Sequence, residues 1–67
     1  MKTWSSREIL QVLQQDGWQI IRQRGSHLQL KHLEKLGKVT VPHPRSTLNP
    51  KTAKSIFRQA GIDMKEI

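Results

Sequence analysis

The chain has 67 residues, 34% of them hydrophobic, with 12 Lys or Arg against five Asp or Glu and a formal net charge of +7 at neutral pH. A chain this short buries only about 60% of its unfolded surface. One domain over residues 1–67 is therefore expected, with one layer of helices on one sheet and no deep, water-excluding cleft. It has no cysteine, which excludes a disulfide framework and a thiolate metal site and favours a cytoplasmic setting. No apolar run approaches the roughly 18 residues of a membrane span, and Met1 to Glu8 lack the apolar core of an export signal.

The first element is announced by Ser5 and Glu8, spaced as a capping box, with Trp4 and Ile9 placed to close a hydrophobic staple over it. Ile9, Leu10, Val12 and Leu13 then recur at helical spacing, and Gly17 offers a left-handed stop, so a helix is expected from about Ser6 to Asp16. From Trp18 to Arg24 the chain turns β-branched and aromatic, and reads as a strand ending at the turn pair Gly25-Ser26. His27 to His32 alternates strictly, with Leu28 and Leu30 on one face and His27, Gln29 and Lys31 on the other. A loop through Gly37 leads to a third strand, Lys38 to Val41, ended by Pro42-His43-Pro44.

Asn49 is a fitting N-cap and Pro50 a fitting first residue for a second helix, with Ala53, Ile56, Phe57 and Ala60 as its apolar stripe and Gly61 as its stop. Ile62 to Ile67 read as a short frayed tail. The order α-β-β-β-α predicts an α+β fold in which both helices cover one face of a three-stranded antiparallel sheet, the arrangement of double-stranded-RNA-binding domains. The expected core is Ile9, Leu10, Leu13, Trp18, Ile20, Leu28, Leu30, Val39, Val41, Ile56, Phe57 and Ala60.

An excess of positive charge on so small a surface favours polyanions, nucleic acid first and an acidic protein second. His27 belongs to the uncovered face, beside a turn where Gly25 permits close backbone approach and Ser26 supplies a small hydrogen-bonding group. Imidazole is a competent general base or acid near neutral pH, and Arg22, Arg24 and Lys31 are near enough in sequence to hold a phosphate beside it. On pattern alone an ordinary surface histidine explains His27 as well. His32 shares the parity of Leu28 and reads as structural, whereas His43 lies at the end of the sheet where an auxiliary group to His27 is conceivable. Spacings of five and eleven between the histidines do not suit zinc. Gly-rich phosphate loops, a nucleophile elbow and paired carboxylates are all missing, so any nuclease chemistry is expected to run on imidazole, without metal or cofactor. Lys51 and Lys54 open the second helix and Arg58 follows on the same side, a set suited to phosphates.

With these elements in place, the chain resembles the HicA family, the mRNA interferase half of HicA-HicB toxin-antitoxin systems. The likeness runs through Ser5-Ser6-Arg7-Glu8, Asp16-Gly17-Trp18, Arg22-Gln23-Arg24-Gly25-Ser26-His27, Val39-Thr40-Val41-Pro42-His43-Pro44 and Gln59-Ala60-Gly61-Ile62. The resemblance implies a stress-response toxin of the type II class, an endoribonuclease with His27 as its catalytic histidine, neutralised by a HicB-type antitoxin. It also implies a monomer when free and a hetero-oligomer with the antitoxin. Leu28 and Leu30 stand where many relatives have a second histidine and an aromatic residue. Likewise, Pro50-Lys51-Thr52-Ala53 replaces a common Gly-Thr-Leu. The rival expectations are a non-catalytic double-stranded-RNA-binding module using Lys51, Lys54, Arg58 and the sheet edge, and an adaptor for an acidic protein.

Overall fold

A computed structural model describes residues 3–66 of the chain. Met1 and Lys2, part of the stretch compared with an export signal, and Ile67, the end of the expected tail, lie outside the described residues. Helix α1 spans Ser6–Gln15 and strands β1, β2 and β3 span Trp18–Arg24, His27–His32 and Lys38–Pro42. Helix α2 spans Pro50–Gln59, and a 3-10 turn covers Met64–Glu66. The sheet is antiparallel in the order β1-β2-β3, giving the expected α-β-β-β-α architecture, consistent with a double-stranded-RNA-binding-domain-like fold. Among the described residues no helix is long and apolar enough to cross a membrane.

Helix α1 starts where its capping box forms. The Ser5 hydroxyl accepts from the Glu8 N–H at 3.1 Å, and the Glu8 carboxylate accepts from the Ser5 N–H at 3.0 Å. Two of the four N–H groups orphaned at the helix start are thereby satisfied. Helix α2 begins with the Asn49 side chain accepting from the Lys51 N–H at 2.9 Å, with Pro50 at the position where a missing N–H costs nothing.

The core joins the apolar stripes of both helices to Trp18, Leu28, Leu30, Val39 and Val41 of the sheet. Trp4 and Leu48 join it too. They pair as an isolated β-bridge, and the Trp4 ring meets Phe57 edge to face at 5.0 Å between centroids. Trp4 thus spans from the start of α1 to α2, and the edge-to-face contact adds about 0.5–1.5 kcal/mol beyond the area it buries. The tail expected to fray instead folds back, with Ile62 and Met64 packed on the core.

Ile20 corrects the expected core. It pairs with Leu30 and so faces the helices, yet it is 43% exposed, because β1 is an edge strand that the helix layer leaves partly uncovered. Directly after it the β1-β2 ladder is interrupted: Ile20 pairs with Leu30, but Arg22 pairs with Gln29. Ile21 is the extra residue of a β-bulge, which reverses the parity of everything beyond it. Regular alternation from Trp18 and Ile20 would send Arg22 and Arg24 under the helices. The bulge instead puts them on the face of Gln29 and His27, their ladder partners.

Candidate functional site

His27 opens β2 directly after the hairpin turn. Gly25 adopts φ +54, a left-handed conformation that costs an L-residue energy, and a Cβ there would meet nothing within 4 Å. Glycine is therefore required by the backbone, and the space above it is open. The Gln23 amide donates to the Gly25 carbonyl at 3.2 Å, bracing the turn. The ladder pairs His27 with Arg24 on one side and Pro42 on the other, so all three share the uncovered face of the sheet, and His27 is exposed there.

A shallow groove of about 330 Å³ runs between this end of the sheet and α2. The sheet contributes His27, Thr40 and Pro42; the helix contributes Lys51, Thr52, Ser55, Ile56 and Gln59. The helical residues follow i, i+1, i+4, i+5, i+8 spacing, one continuous stripe. No carboxylate lines the groove, and Lys51 is its permanent cation. An anionic ligand beside the imidazole is favoured electrostatically and meets hydroxyl and amide groups along the helix wall.

The other expected residues divide among several places. Arg22, Arg24 and Lys31 are exposed, and their ladder partners Gln29, His27 and Gln19 put them on the His27 side of the sheet. Lys54 and Arg58 line a second concavity of about 400 Å³, with Ile62, Met64 and Lys65, which does not include His27. Of the three cations expected to act together on α2, only Lys51 reaches the His27 groove.

His43 also points elsewhere. Its N–H extends the ladder by donating to the Ser26 carbonyl at 2.7 Å, which turns its side chain to the face opposite Pro42. The ring Nδ1 lies 2.7 Å from the hydroxyl of Ser6, a buried residue in the first turn of α1. That hydroxyl also accepts from the Arg45 N–H at 2.9 Å. His43 therefore locks the chain after β3 to the start of α1, and no groove residue contacts it through a hydrogen bond among the described residues. His32 is structural as expected. Its Nδ1 accepts from the N–H groups of Glu34 and Lys35 at 2.9 and 3.1 Å, which leaves Nε2 to donate to the Asp16 carbonyl at 2.6 Å. Among the described residues no three His, Asp or Glu side chains converge as a metal ion requires.

Thr40, Thr52, Ser55 and Gln59 are groove residues that sequence reasoning did not single out. Their signal was present in the 51, 55, 59 spacing on α2, but the helix had to be docked beside β3 before that stripe acquired a facing wall.

Comparison with known proteins adds the last observation. None of the curated proteins matches the chain. A family model described as the HicA toxin of bacterial toxin-antitoxin systems matches residues 6–62, which includes both helices, all three strands and every groove residue. The chain belongs to the HicA toxin family.

Proposed function

We propose that this toxin is an mRNA-cleaving endoribonuclease in which His27 is the catalytic base. The observation carrying the proposal is an exposed imidazole in an open groove whose other ionic group is Lys51 and which has no carboxylate. His27 takes the proton from a ribose 2′-OH, and the resulting alkoxide attacks the adjacent phosphorus. The bond from phosphorus to the 5′ oxygen of the next nucleotide breaks. The products are a 2′,3′-cyclic phosphate on one fragment and, once its oxygen gains a proton, a 5′-hydroxyl on the other. Negative charge builds on the phosphorane oxygens, where Lys51 in the groove and Arg24 across the ladder from His27 stabilise it. Gly25 and Ser26 leave the approach open to the sugar-phosphate backbone, while Arg22 and Lys31 extend the basic face along the sheet. No step requires a metal.

The antitoxin partner that the family implies is, in this account, a HicB-type protein with an acidic surface that covers the His27 groove and the basic face. The toxin acts in the cytoplasm, where its mRNA substrate is. A non-catalytic double-stranded-RNA-binding role would draw on Lys51, Lys54 and Arg58 as one surface, and these residues are divided between two concavities. Expression of the protein should arrest growth, co-expression of the cognate antitoxin should relieve the arrest, and His27→Ala should abolish it. Toxicity of His27→Ala equal to that of the parent would remove His27 from the catalytic role.

A further inference from the structure

We infer that the α2 wall of the His27 groove is a nucleobase subsite, in which Gln59 and Ser55 read the edge of a base flanking the cleaved phosphate. This rests on the RNA-cleavage proposal for the same groove and names what the groove selects.

The groove has a division of chemistry along its length. Lys51, at the start of α2, is a point charge suited to phosphate, which carries no sequence information. Ser55 and Gln59 lie one and two turns further along, and eight residues of helix separate Gln59 from Lys51 by about 12 Å. They are uncharged groups that both donate and accept, the type that distinguishes bases by hydrogen-bond pattern. The groove is therefore longer than a phosphate needs and polar where a base would lie.

Gln59 also meets Ser55 directly. Its Nε2 donates to the Ser55 hydroxyl at 3.3 Å, one turn back along the helix. One N–H and Oε1 remain for a ligand. A glutamine presenting that pair makes the bidentate contact that selects adenine through N6 and N7. The hydroxyl of Ser55 keeps its own proton for the same ligand, and Thr52 and Thr40 add smaller hydroxyls on either side. Single-stranded RNA is the form that fits, since unstacked bases are what proteins read at their edges, whereas the narrow major groove of a duplex hides them.

Binding is tested with the full-length His27→Ala protein, which cannot cleave in this account, and four fluorescent homo-oligoribonucleotides of A, C, G and U. Affinity for oligo(A) is expected to exceed the others by about tenfold, the usual value of one bidentate pair. Adding Gln59→Ala should level the four affinities, and adding Gln14→Ala on the exposed side of α1 should change nothing. In the protein with His27 intact, cleavage-end mapping should show an adenine preference that Gln59→Ala erases. Equal affinities for all four oligonucleotides, or a preference that survives Gln59→Ala, would overturn the subsite while leaving His27-dependent cleavage standing. Failure to bind any of the four would overturn the subsite and the RNA-cleavage proposal together. A Gln59-dependent preference for another base would uphold the subsite and overturn the adenine assignment.

Discussion

Three histidines within 17 positions have three fates, and each follows from which group meets the ring. His32 is committed on both nitrogens, holding the loop after β2 to the end of α1. His43 is committed through Nδ1 to Ser6. His27 alone of the three is exposed. The His32 arrangement also explains Gly17. A Cβ at Gly17 would lie 2.6 Å from His32 Nε2, and the backbone there has φ +106. Gly17→Ala must shift the ring off the Asp16 carbonyl and strain the backbone as well. We expect it to lower stability by about 2 kcal/mol or more, read as a lower urea midpoint. An unchanged midpoint would mean that the ring does not anchor this junction.

At the scale of elements, most of the architecture was legible in the sequence because each element carries its own punctuation. Ser5 and Glu8 begin α1, Asn49 and Pro50 begin α2, Gly25-Ser26 closes the hairpin, and strict alternation runs through β2 and β3. What escaped depends on two elements meeting. The bulge at Ile21 is a property of the β1-β2 register, and Trp4 reaches the core through a bridge to Leu48 that no local periodicity encodes. Lys51, Lys54 and Arg58 span only about 60° of the helix at 100° per residue, so the sequence groups them correctly on one side of α2. The sheet on one flank and the Met64–Glu66 turn on the other then divide them. For the candidate site, the sequence singled out the Gly25-Ser26-His27 turn and the family likeness gave His27 its proposed role, but the facing helix wall needed the packed structure. The bulge itself is testable. Deleting Ile21 should regularise the ladder with Arg22 and Arg24 still on the His27 face, preserving far-UV circular dichroism and RNA affinity. Deleting Gln23 instead brings Arg22 opposite Leu28, under the helices, and should weaken RNA binding. Equal RNA affinity of the two deletions would contradict the role given to the bulge.

The whole molecule is a slab of 31 × 29 × 17 Å, one helix layer on one sheet, with a broad basic surface relative to its volume. In the proposed function such a body binds RNA on an open face, and its affinity should be governed by counterion release. The logarithm of the binding constant for single-stranded RNA should fall with the logarithm of salt concentration by about 0.7 per phosphate contacted. Four contacts, from Arg22, Arg24, Lys31 and Lys51, give a slope near −3 by that rule. Lys51→Ala should reduce it by about 0.7, whereas Lys54→Ala, in the other concavity, should leave it unchanged. An equal change from both would return the three α2 cations to one surface.

The central claim is that His27 in this groove cleaves RNA through its own ribose 2′-OH. Its most direct test is the chemistry of the ends left by purified protein on single-stranded RNA in the presence of EDTA. The account predicts 2′,3′-cyclic phosphates opposite 5′-hydroxyls, and no product with His27→Ala. Fragments ending in 3′-hydroxyls, or the same products from His27→Ala, would contradict it.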